Sequence, residues 1–151
     1  DAAGEAVFHE EPNAGETSTL VAGAVRAPGI TRAVRVTTID DEVAARGWTN
    51  VDLIKIDAEG YDLHVMRGMV RLVQRQAVGI IQFEYNSSWK AACSLLSEAI
   101  SLLQKHNYQV FFMSNEGLRR ANYARFGEYF SFSNYVAIAA DRLEGLKDIL
   151  R

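Results

Sequence analysis

The sequence holds a single cysteine, Cys93, and that scarcity removes two devices at once. No internal disulfide can form, and no cysteine cluster can hold a metal. Histidine is nearly as rare: His9, His64 and His106 have no metal-ligand spacing among them. No apolar run approaches the ~18 residues of a membrane helix. The opening "DAAGEAVFHE" lacks the basic-then-apolar order of a signal peptide. These absences lead to the expectation of a cytoplasmic chain with no membrane partner. Basic charge is not in excess either. A formal net charge of −3 argues against nucleic acid, whose phosphates want a basic face. Repeats and low-complexity tracts are missing too.

What is present suffices for a core. Apolar residues make up 48% of the chain and charged residues 23%, an ordinary globular balance. The length predicts one domain over residues 1–151. "EAVFHEE" reads as a strand, "EPNAGETSTL" as a polar turn broken by Pro12, Asn13 and Gly15, and "AVRVTTID" as a strand up to Thr37. Thr38 with Asp41 three residues on resembles a capping box, and Asp40, Asp41 and Glu42 sit near the positive end of the helix dipole. The short helix so started should carry Val43 and Ala44 inward and stop at Gly47.

In "VDLIKID", Val51, Leu53, Ile54 and Ile56 fall on both faces, which predicts a strand covered on both sides. After Gly60 the period becomes helical through Leu63, Met66, Val70 and Val73, with Arg67, Arg71 and Arg75 on the solvated face. "AVGIIQFEYN" is a second apolar strand, so the three elements form a parallel βαβ unit. Ala92, Leu95, Leu96, Ala99, Ile100 and Leu103 form the clearest helical stripe, with Cys93 as a small core residue beside it. "YQVFFMS" and "YFSFSNYVAIA" read as an antiparallel pair joined by the long loop "NEGLRRANYARFGE", and "DRLEGLKDIL" as a terminal helix. The fold class is α/β, a parallel βαβ unit followed by an antiparallel strand pair.

Open parallel sheets bind ligands outside the carboxyl ends of their strands. Asp57 ends one strand, Glu84 ends the next, and Glu59 lies in the turn between the first strand and its helix. Those three carboxylates are the catalytic candidates. A structural account stands beside this one. Glu59-Gly60 can be a turn, and Lys55, on the same face as Asp57, can pair with Asp57 or Glu84. In "EYNSSW", Tyr85 and Trp89 offer flat faces to an acceptor and Asn86 a polar contact, yet Asn86-Ser87-Ser88 also reads as a helix cap with Trp89 as its staple. Arg119, Arg120 and Arg125 read as a solvated run, or as a cover favouring an anionic substrate. Only His64 lies near the crevice.

The run "TTIDDEVAARGWTNVDLIKIDAEGYDLHVMRGMVRLV" resembles the FkbM-type S-adenosylmethionine-dependent methyltransferases. The matching motifs are Thr38-Ile39-Asp40-Asp41, Asp52 to Gly60, then Asp62 and Gly68. "GETSTL" at Gly15–Leu20 resembles the family's small-polar segment, and "IIQFEYN" its next strand. The resemblance implies a class I (Rossmann-like) sheet and methylation, by S-adenosylmethionine, of a small-molecule hydroxyl on a sugar or polyketide. It also implies a Mg²⁺ site at Asp57, Glu84 and Asn86 by analogy with metal-dependent relatives of that fold, or metal-free chemistry with Asp57 or Glu59 as base or anchor. As protein partner it leaves a homo-oligomer open.

One departure bears on activity. The family's glycine-rich cofactor turn and ribose-binding acid have no counterpart here, and "DAAGEAVF" resembles the segment after the third strand of that fold. The expectation is therefore a C-terminal portion of the domain, its cofactor-binding residues upstream of Asp1. Alone it should bind S-adenosylmethionine weakly or not at all, be inactive, and expose a sheet edge. The competing reading is a non-catalytic remnant that serves as a binding domain. Metal-dependent hydrolysis is supported by no histidine cluster.

Overall fold

The computed structural model describes residues 2–10, 18–21 and 29–149. Strands β1 (Gly4–Glu10) and β2 (Ile30–Val36) form an antiparallel ribbon in register from Gly4↔Val36 to Glu10↔Ile30. The turn expected at Pro12, Asn13 and Gly15 lies outside the described residues. A second sheet contains β3 (Val51–Ile56), β4 (Val78–Tyr85), β5 (Tyr108–Ser114), β6 (Gly117–Arg120) and β7 (Ser133–Ala139), in the order β3-β4-β7-β5-β6. The β3–β4 pair is parallel, as the strand–helix–strand spacing predicts, and β7 is antiparallel to both β4 and β5. The carboxyl ends of β3, β4 and β5 therefore share one rim with the start of β7. The molecule is mixed α/β.

Alternation along the strands sets the core. Ile81, Phe83 and Tyr85 of β4 are buried on one face, beside Ala137, Tyr135 and Ser133 of β7. Leu63, Met66 and Met69 and then Leu96, Ala99 and Leu103 belong to the same cluster. Burying each large side chain contributes about 1.5–3 kcal/mol. A smaller cluster on the other face joins Phe111, Leu118, Val136 and Ile138 to Leu143 and Leu146. Two 3₁₀ turns, Ala140–Arg142 and Glu144–Ile149, present those last two residues and stand where a terminal α-helix is expected.

Several expectations are corrected. β3 is not covered on both sides: Leu53 is 54% exposed, and among the described residues β4 is the only strand paired with it. Helix α1 (Ile39–Ala45) begins as the sequence predicts, Thr38 Oγ1 accepting from the Asp41 amide at 3.0 Å. It packs through Asp40 and Val43, one turn apart, so Ala44 falls on the solvent side and is exposed.

The helix expected after Gly60 divides into α2 (Asp62–Arg67) and α3 (Val70–Gln74). The break is held by α1. The Gly68 carbonyl accepts from the Asp40 amide, and the Asp40 carboxylate accepts from the amides of Arg71 at 2.9 Å and Leu72 at 3.0 Å. Asp40 thus caps α3 from another helix. Arg67 and Arg71 are solvent-facing but tied, to Glu98 and to Asp40 and Asp41 respectively, while Arg75 donates to the Thr49 carbonyl.

The clearest helical stripe also breaks, into α4 (Ser88–Ala91) and α5 (Leu96–Lys105). Cys93 lies between them, exposed and at φ +51°, so it is a turn residue and not a core one. The long loop before β7 contains β6 and one helical turn, α6 (Tyr123–Phe126). No described helix is long and apolar enough to cross a membrane.

Candidate active site at the carboxyl rim

β3 and β4 run parallel in a register that pairs Ile56 with Phe83, so Asp57 and Glu84 follow at adjacent positions on one rim. Lys55, two residues before Asp57, donates to its carboxylate at 2.7 Å, with the Asp57 side chain 42% exposed. That hydrogen bond raises the Lys55 pKa, and Asp57 and then Glu84 add to the effect by charge. The ammonium thus stays cationic between the two strand ends.

The half-buried Glu84 accepts from Asn86 Nδ2 at 2.7 Å, while Asn86 Oδ1 accepts from the Ser88 amide at 2.8 Å. Asn86 therefore faces a carboxylate with its donor and the start of α4 with its acceptor, as its reading as a cap predicts.

Tyr85 and Trp89 are corrected as acceptor contacts. Both have 0% exposure. The Trp89 indole N–H donates to the Glu84 carbonyl at 2.9 Å, and its ring meets Tyr85 edge-on at 5.2 Å. Burial raises the Tyr85 phenol, which donates to Glu128 at 2.9 Å and accepts from the Phe130 amide at 3.0 Å. These rings anchor the rim from beneath. Neither presents a face to a ligand.

The turn from β3 to α2 is wound tightly. Glu59 has φ +48°, a conformation that costs a non-glycine residue on the order of 1 kcal/mol or more, and Gly60 has φ +95°. A Cβ on Gly60 would lie 2.7 Å from the Ser88 carbonyl, so glycine is required twice over, by conformation and by space. Thr19 Oγ1 donates to the Glu59 carbonyl at 3.0 Å and accepts from the Val21 amide at 3.1 Å. Thr19 also pairs with His9, so the β1–β2 ribbon is pinned to this turn.

Inside the turn lies Asp62, 1% exposed. One of its oxygens accepts from the Gly60 amide at 3.3 Å, and the other has no hydrogen-bond partner among the described residues. Burial pushes the Asp62 carboxyl up to about 7, against the amides of Asp62, Gly60 and Ala58, and the negative Asp57 adds to the rise. His64 stacks on Tyr61 at 4.2 Å and is held below its ordinary value by burial and by Arg67.

Across the rim, Glu128 closes the far side. Its carboxylate accepts from the amides of Leu96 at 3.0 Å and Ser97 at 2.9 Å as well as from Tyr85. Burial alone would raise it, and those hydrogen bonds outweigh burial and leave it below the usual range. One of these contributors escaped sequence reasoning and one did not. Asp62 was visible as an acid at a helix start. Glu128 carried no signal, since its partner Tyr85 is 43 positions away.

The model of the "Methyltransferase FkbM domain" family matches residues 3–110. The chain belongs to the FkbM methyltransferase family. Comparison with curated proteins and with solved structures gave no match. In this FkbM chain the matched stretch takes in Thr38 to Asp41, the Lys55–Gly60 turn and the Glu84–Asn86 strand end. The remainder of β5 with β6, α6 and β7 lies beyond it.

The Mg²⁺ expected at Asp57, Glu84 and Asn86 does not fit these residues. A lysine ammonium already stands beside the acids, and Asn86 turns its amide nitrogen, a donor, towards Glu84. Among the described residues no group of three or more His, Cys, Asp and Glu side chains is gathered to hold a metal. A hard cation wants several oxygens converging on one point, whereas Asp57 already bonds Lys55 and Glu84 already bonds Asn86.

Proposed function

We propose that the chain supplies the acceptor side of an S-adenosylmethionine-dependent methyltransferase acting on a hydroxyl of a small molecule. The observation that carries this reading is the family match centred on a carboxyl rim where Asp57 and Glu84 stand side by side with Lys55. The donor, when bound, supplies an electrophilic methyl group; everything the described residues do concerns the acceptor.

Asp57 is the group placed to receive the acceptor hydroxyl. It is solvent-accessible, it sits at the strand end, and Lys55 fixes its orientation while leaving the second carboxylate oxygen for a further hydrogen bond. The hydroxyl would be aligned by that oxygen and would lose its proton towards it as the oxygen–methyl bond formed and the donor's sulfur–methyl bond broke, S-adenosylhomocysteine being the leaving group. Glu59 is the second acid on the turn. Its backbone is fixed by Thr19 and by its own left-handed conformation. Glu84, turned to Asn86, shapes the wall.

Titration of S-adenosylhomocysteine into the parent protein that contains this segment, with residues upstream of Asp1 restored where the gene encodes them, tests the reading, with saturable one-to-one binding expected. Asp57→Asn should lower turnover at least about a hundredfold and leave that binding unchanged; turnover within threefold of the parent would remove Asp57 from the chemistry. The mutual satisfaction of the rim's polar groups favours a second reading, a binding domain that has kept the sheet and lost catalysis. Absence of S-adenosylhomocysteine binding would decide for it.

A further inference from the structure

Beyond the matched segment the chain builds a cavity of about 560 Å³, well within the size range of small-molecule sites. Of its lining residues, all but Leu96 and Ile100 come after residue 110, where the family match ends. Its walls are aromatic, including Phe112, Tyr123, Phe126 and Phe132. Its polar floor is a chain of hydroxyls, Tyr129 to Tyr135 at 2.6 Å and Tyr129 to Ser133 at 2.7 Å.

The charge of the lining has one sign. Arg119, Arg120 and Arg125 contribute to it and no carboxylate does, although the chain as a whole is at −3. Arg119 pairs with Glu116 outside the cavity. Arg120, opposite Phe111 in the register, turns to the other face of the sheet and bonds Gln109 there, while Arg125 lies over the Phe126 ring at 5.3 Å. Among the described residues no ion pair neutralises Arg125. At the mouth, Phe126 is 62% and Phe132 is 72% exposed, large apolar surfaces held in water beside an unmatched cation. The cavity adjoins the rim: Ser133 lines it, pairs with Tyr85, and is followed by Asn134, which pairs with Glu84.

We propose that this cavity binds a planar aromatic carboxylate, its rings between the wall aromatics and its anion on Arg125. Flat apolar walls select a flat apolar body, and guanidinium groups match a carboxylate through paired N–H donors. That such a ligand is the methyl acceptor rests on the methyltransferase reading; that it binds does not. The aromatic walls favour a polyketide-like ring over a sugar.

The test uses 1-naphthoate and the neutral 1-naphthalenemethanol, titrated calorimetrically into the full chain without cofactor. Saturable one-to-one binding of the naphthoate is expected, with the alcohol about tenfold weaker or more. Arg125→Gln and Phe132→Ala, both at exposed positions, should each weaken the naphthoate at least fivefold with unchanged thermal melting. No saturable naphthoate binding, equal affinity for the alcohol, or indifference to both substitutions would overturn the proposal. So would a concentration-dependent dimer, seen by sedimentation, that Phe132→Ala dissolves, since the aromatics would then be a contact between copies. Naphthoate binding without any S-adenosylhomocysteine binding keeps the cavity and removes the methyltransferase reading, so the two failures are distinct.

Discussion

The rim after β3 and β4 and the cavity beside β7 use charge in opposite ways. Around the rim the acids are partnered. Asp40 receives the Arg71 and Leu72 amides, Asp62 the Gly60 amide, Asp57 the Lys55 ammonium and Glu84 the Asn86 amide. In the cavity Arg125 has no carboxylate in an ion pair with it among the described residues. The acids that make the family recognisable are largely occupied in holding backbone in shape, whereas the cation offered to a ligand lies outside the matched range. A motif therefore marks a scaffold as readily as a reaction centre, and the contrast can be broken by substitution.

The largest effect is expected at Gly60. Gly60→Ala would force a Cβ against Ser88 at a positive φ and should destabilise by about 3 kcal/mol or more, read as a lower urea midpoint with an unchanged slope. Next comes Asp62. Its carboxyl stands near 7 folded against an ordinary 3.8, so between those values the folded state binds the extra proton. The Asp62 contribution to stability is then greatest below pH 4, falls as pH rises, and levels off above pH 7, a change on the order of 4 kcal/mol. Asp62→Asn should flatten that slope in denaturation curves taken from pH 4 to 8; an identical slope would show that Asp62 titrates normally.

Asp40→Ala strands the amides at the start of α3 and should cost about 2 kcal/mol, with faster amide exchange at Arg71 and Leu72. Glu128→Ala removes the cap of α5 at about 1–2 kcal/mol. Smallest of all, Phe132→Ala and Arg125→Gln should leave stability within about 0.5 kcal/mol while weakening the aromatic anion. A loss of stability there comparable to that at Gly60 would erase the contrast between the two regions.

Much of this was legible in the sequence, and the misses share a cause. Apolar runs gave β3, β4, β5 and β7, and the Thr38–Asp41 spacing gave the start of α1, because those signals are local. The break between α2 and α3 was hidden, since Leu63, Met66, Val70 and Val73 keep helical spacing across it while the decisive partner, Asp40, comes from another helix. Leu53 misled for a related reason: an apolar residue on a strand says nothing about whether anything covers it. At the site, Asp57 and Lys55 were readable as neighbours on one strand face. The burial of Tyr85 was not, because it depends on Tyr129, Phe130 and Glu128, which arrive from far along the chain.

Glu128 ties the segment that walls the cavity to the first turn of α5 and to the end of β4 through one carboxylate. Wall and helix consequently form one mechanical unit. Swinging the wall outward would unwind the helix start and strip the tyrosine hydroxyl of its acceptor in the same movement. A ligand too large for the resting cavity meets three losses together, and one that fits meets none. Selectivity by size in such a pocket should be a step, with tolerance ending abruptly at the dimensions the latch allows.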